Sequence, residues 1–168
     1  MTALSVWTYP DVDGARRLEQ RLAEGAVGDV VVRDAVVATW ASGRAAPRVR
    51  DVQGMARTGS LGSGFWGLLF GIVAAGPELA ELGGGTDRAL DESLSGIGID
   101  GELLAALRRG LRPGGSALAV ICDEALTDEI HVEAVDASAG ARVPTTPDRV
   151  LLRLAPDHDA ALHRVFSS

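Results

Sequence analysis

Lysine is absent from this sequence: all sixteen basic residues are arginine. That excludes a Schiff-base lysine, a Ser–Lys dyad and the lysine of a phosphate-binding P-loop. A single cysteine, Cys122, leaves no partner for an intrachain disulfide and no thiolate cluster for zinc. Positive charge is outweighed, with a net charge of −7. Nucleic acid and anionic lipid both call for a concentrated basic face, so neither is an expected partner. No basic leader precedes an apolar run near Met1, and a cytoplasmic setting is expected.

What is plentiful is glycine, 21 residues among 168, within a chain that is 46% hydrophobic. That length and apolar content suit a single domain, 1–168, with one core. The segment ALSVWTY, Ala3 to Tyr9, reads as a strand stopped by Pro10. Asp11 or Asp13 is placed to cap a helix reaching about Glu24, with Ala15, Leu18 and Leu22 on one face and an Asp13–Arg17 pair on its surface. Residues 34–41 and 47–52 read as two strands of a hairpin turning near Ser42-Gly43-Arg44. GELLAALRRGL, Gly101 to Leu111, is the clearest helix: Leu103, Leu104, Leu107 and Leu111 form its stripe, and Arg112-Pro113-Gly114-Gly115 stops it. SALAVIC, Ser116 to Cys122, reads as a buried strand.

Beyond Cys122 the pattern is ambiguous. Thr127 to Ser138 fits a helix with Ile130, Val132, Ala134 and Val135 as its apolar set, while the alternation in EIHVEAV fits a strand equally well. A further strand, Arg149 to Leu154, and a short helix, Asp157 to Phe166, complete the chain. Up to Cys122 the order is βαββαβ, which predicts an α+β, ferredoxin-like sandwich with two helices on one face of an antiparallel sheet. A glycine-rich helical hairpin, residues 54–98, is inserted before the second helix, and the extra C-terminal strand and helix follow the sandwich.

The runs DAVVATW, GSLGSGFWGLLFG and GIGIDGELLAALRRGLRPGGSALAVIC, in that order, resemble a bacterial family, domain of unknown function 1269. The likeness spans roughly residues 3 to 140. Members are commonly described as predicted membrane proteins. The resemblance implies a ferredoxin-like αβ domain with a glycine-rich hairpin, and it brings no catalytic residues with it.

The segment from Gly59 to Gly76 holds eighteen uncharged residues. As a helix it reaches only about 27 Å at ~1.5 Å per residue, short of the ~20 apolar residues a membrane span needs. The return arm carries Glu78, Glu81, Asp87, Arg88, Asp91 and Glu92, which argues against a two-pass hairpin. Ser63, Gly67, Gly71 and Ala75 recur every four residues, the spacing that lets two helix backbones approach closely. With Gly64, Phe65, Trp66, Leu69 and Phe70 they form the expected interface between copies of the chain, because a helix apolar all round must find cover.

No catalytic constellation emerges. Asp157-His158-Asp159 with His163 places two histidines five apart, off the spacing that stacks ligands on one helix face, so no metal is expected. His131 reads as part of a charged helix face, and Cys122 as an inert buried thiol. No G-x-S-x-G frame is present, and Gly59, Gly62 and Gly64 invert the dinucleotide fingerprint. No cofactor is expected. Trp7, Trp40 and Trp66 read first as core, and second as the lining of a pocket for a small apolar ligand. The expectation is a non-enzymatic, self-associating protein, with apolar-ligand binding and peripheral membrane attachment as alternatives.

Overall fold

The structure, a computed structural model, describes residues 2–24, 32–44, 47–52, 66, 69–71, 73, 101–138 and 147–154. Its elements are β1 (Thr2–Tyr9), α1 (Gly14–Ala23), β2 (Val32–Thr39), β3 (Arg48–Asp51), α2 (Gly101–Gly110), β4 (Ser116–Asp123), α3 (Glu124–Ser138) and β5 (Asp148–Leu154). Between β3 and α2, residues Trp66, Leu69, Phe70, Gly71 and Val73 are helical. The rest of the expected hairpin, most of residues 54–98, and the expected helix over 157–166 lie outside the described residues.

The five strands form one antiparallel sheet in the order β3-β2-β4-β1-β5. β4 occupies the centre, pairing Val120 with both Ser5 and Ala35. Its central run, ALAVIC, carries no oxygen- or nitrogen-bearing side chain, which suits a strand covered on both faces. The β2–β3 hairpin turns at Gly43, whose φ of 86° is a left-handed conformation open to glycine at no steric cost. β3 is a four-residue edge bearing Arg48 and Arg50, features that discourage edge-to-edge pairing.

Strand alternation divides the core into two layers. Leu4, Val6, Val36, Ala38, Ala119 and Ile121 face one way, packing with Trp66, Leu69, Phe70 and Val73 and with Leu103, Leu104, Leu107 and Leu111 of α2. Trp7, Tyr9, Ala35, Val37, Leu118, Val120 and Cys122 face the other way, against Ala15, Leu18 and Leu22 of α1 and Ile130, Ala134 and Ala137 of α3. The α+β class and the βαββαβ order up to β4 are present. Placing both helices of that unit on one face needs correction, since α1 and α2 lie on opposite faces. The reason is that both faces of β1 and β4 are apolar, and α3 supplies α1 with a helical neighbour on its own face.

The α1 terminus also differs from the expected capping. Asp13 sits at the N-cap but makes no side-chain capping bond. The Ser116 hydroxyl, reaching across from β4, accepts the Ala15 N–H at 3.0 Å and donates to the Asp11 carbonyl at 2.7 Å. Arg17 pairs with Asp11 at 2.8 Å in place of Asp13, because its Nε is drawn toward α3 by the Ala137 carbonyl at 3.0 Å. α3 resolves the helix-or-strand ambiguity as a helix. Ile130, Ala134 and Ala137 recur at helical spacing and are buried, whereas Val132 is 59% exposed.

Candidate functional site

The seat of the glycine-rich helix is built by the α2 face of the sheet. Trp66, Leu69, Phe70 and Val73 stand at i, i+3, i+4 and i+7, the spacing of a helix stripe facing a core, and all four are buried. Each such side chain contributes roughly 1.5–3 kcal/mol of burial free energy. Gly71 lies off that stripe, is exposed, and among the described residues has no atom outside its own helix within 4 Å of where a Cβ would stand. Of the expected interface residues, Trp66, Leu69 and Phe70 are thus covered by the chain's own sheet and α2, and Gly71 faces outward. Ser63, Gly64, Phe65, Gly67 and Ala75 lie outside the described residues or have side chains that do.

The three tryptophans do not converge. Trp40 and Trp66 belong to the layer under α2, and Trp7 to the opposite layer under α1 and α3. All three are buried. The Trp40 indole donates to the Arg44 carbonyl at 2.9 Å, closing the β2–β3 turn. Trp7 is one strand position before Thr8 and two beyond Ser5, so its ring follows the α1/α3 face and cannot border a pocket with Trp66 across the sheet.

Trp7 instead donates its indole N–H to His131 Nδ1 at 3.0 Å. An indole nitrogen only donates, so Nδ1 is unprotonated and the imidazole proton sits on Nε2. Arg149, opposite Trp7 in the β1–β5 ladder, lies beside this imidazole and pairs with Asp128 at 2.9 Å. Burial first, and then the Arg149 guanidinium, lower the His131 pKa below its ordinary value, with Asp128 opposing. The sequence placed His131 on a charged helix face and missed this partner, because Trp7 is 124 residues away along the chain. Tyr9 ties the same layer together, donating to the Ala134 carbonyl at 2.9 Å, and its burial raises the phenol pKa.

Cys122 is buried in this layer, and desolvation pushes its thiol up to about 11. It is therefore protonated at neutral pH and a poor nucleophile. Among the described residues no group of three or more histidines, cysteines or carboxylates is gathered as a metal set, and the 157–163 cluster lies outside them. Among the described residues no helix is long and apolar enough to cross a membrane.

These features define an α+β protein whose antiparallel sheet is covered by helices on both faces. A family model described as "Protein of unknown function (DUF1269)" matches residues 60–155, more than half of the chain. The chain belongs to that family. The match starts within the glycine-rich segment and runs through α2, β4, α3 and β5, further toward the C-terminus than the resemblance expected from sequence. No curated protein and no solved structure matches.

Proposed function

We propose that this is a non-catalytic, self-associating α+β protein in which the outward face of the glycine-rich helix meets a second copy. The observation that carries this reading is the division of the helix. Its bulky residues Trp66, Leu69, Phe70 and Val73 face the protein's own core, leaving Gly71 outward with open space above its backbone. In the sequence Gly71 belongs to the four-residue series Ser63, Gly67, Gly71, Ala75. A helix face of small residues admits another helix at short interaxial distance, and dispersion between close backbones supplies the attraction.

The test is the mass of the purified protein in solution, with and without detergent. A mass of two or more chains in both conditions is the expected result. A monomer in buffer that gains mass only with detergent micelles would replace self-association with attachment to a lipid surface. Gly71→Leu should convert the assembly to monomer while leaving the circular dichroism spectrum unchanged, since no described residue outside its own helix lies within 4 Å of where a Cβ would stand.

A further inference from the structure

A cavity of about 430 Å³ opens where α2 ends, walled by Thr8 and Pro10 of the β1 end, by Arg109, Gly110 and Arg112, and by Asp148 at the start of β5. Its volume falls within the range of small-molecule sites, roughly 300–1,000 Å³. Two guanidinium groups, Arg109 and Arg112, are exposed at it, and neither is in an ion pair with a described residue. Arg17, Arg21, Arg50, Arg149 and Arg153, by contrast, all hold carboxylates. At this concavity two guanidinium groups stand together without a carboxylate partner among the described residues.

The frame that carries them is rigid. The loop after α2 is stitched to the end of β2: Gly114 N–H donates to the Trp40 carbonyl at 2.6 Å, and Trp40 N–H to the Gly115 carbonyl at 2.9 Å. Gly115 N–H closes the turn on the Arg112 carbonyl at 2.8 Å, and the buried Leu111 anchors the residue before it. Gly110 lets the end of α2 press onto β1, because a Cβ there would stand 2.2 Å from the Thr8 hydroxyl. The two arginines therefore project from fixed backbone, and holding them for a ligand costs less ordering than on a mobile loop.

We infer that this cavity binds a small organic anion, its carboxylate or phosphate held by Arg109 and Arg112 and a hydroxyl or ammonium group held by Asp148. Guanidinium groups match both oxyanions through paired N–H donors. Asp148, whose carboxylate takes no ion pair with a described residue, repels a bare polyanion and favours a ligand that also carries a donor. Sugar phosphates and hydroxy or amino acids have that pattern. None of the described residues of the glycine-rich helix lines the cavity, and the inference does not depend on self-association.

The test is calorimetric titration at constant ionic strength with glucose 6-phosphate, gluconate, inorganic phosphate and glucose. Saturable binding of glucose 6-phosphate or gluconate, with glucose silent, is expected, and the stronger of the two identifies phosphate or carboxylate as the anchor. The Arg109→Gln/Arg112→Gln double variant should weaken that binding at least tenfold while its circular dichroism spectrum stays unchanged. Asp148→Asn should weaken the hydroxylated anion and strengthen inorganic phosphate. No saturable heat from either organic anion, or heat that survives in the double variant, overturns the assignment.

Discussion

The two faces of the sheet are both apolar, but they are built differently. Under α1 and α3 the packing is threaded with polar bonds between elements. Tyr9 reaches Ala134, Trp7 reaches His131, Arg17 reaches Ala137, and Arg21 holds Glu133 at 2.8 Å. On the α2 face Leu, Val, Phe and Trp side chains pack together, and the Trp40 indole donates to the Arg44 carbonyl within its own turn. Directional bonds fix one register and orientation for a helix pair. Side-chain packing tolerates more rearrangement than directional bonds do. The outward Gly71 lies on the α2 face, where Trp66, Leu69, Phe70 and Val73 pack inward.

The largest expected effect tests the α2 face. Trp66→Ala should cost about 3–5 kcal/mol of unfolding free energy in urea titrations, the usual range for emptying a buried aromatic site. A loss within the range of a surface substitution would mean that the helix is not seated on the sheet. On the bonded face, Tyr9→Phe should cost about 0.5–1.5 kcal/mol, the net worth of the lost hydrogen bond to the Ala134 carbonyl. If the phenylalanine variant matches the parent, the polar thread is not what holds α3 to the sheet.

The bonded face should also be the acid-sensitive one. His131 is favoured neutral in the folded protein, so its folded pKa lies below the ordinary 6.5. Between those two values the unfolded chain binds more protons than the folded one. Stability from this group is complete above about 6.5 and is lost as pH falls through that window. Protonation also removes the acceptor for the Trp7 indole. Melting temperatures of the parent and His131→Gln should therefore converge on acidification from neutral pH, and equal acid slopes for the two would contradict this. Smallest of all, Arg21→Ala should cost roughly 0.2–1 kcal/mol, since its pair with Glu133 is partly exposed.

Much of the layering was legible from sequence where the signal was local. The stripe of Leu103, Leu104, Leu107 and Leu111 and the run SALAVIC each specify an element by short-range periodicity. The turn at Gly43 was legible for the same reason. The placement of α1 and α2 on opposite faces was not. It depends on which strand becomes the neighbour of β4, a long-range choice that leaves no local mark, and on α3, whose EIHVEAV alternates as a strand would. The division of the glycine-rich helix was half legible. Spacing picked out Gly71, but Trp66, Leu69 and Phe70 were assigned to an interface because a sequence does not say how much of an apolar helix its own sheet can cover. The partners of Trp7 and Ser116 were hidden by separation along the chain, 124 and 101 residues.

The central claim, that the small-residue face of the glycine-rich helix joins two copies, is tested most directly by sedimentation equilibrium of the parent and Gly71→Leu side by side. The account predicts an assembly of at least two chains for the parent and a folded monomer of 17.4 kDa for the variant. A parent that sediments as a monomer at every concentration, or a variant that assembles as the parent does, would contradict it.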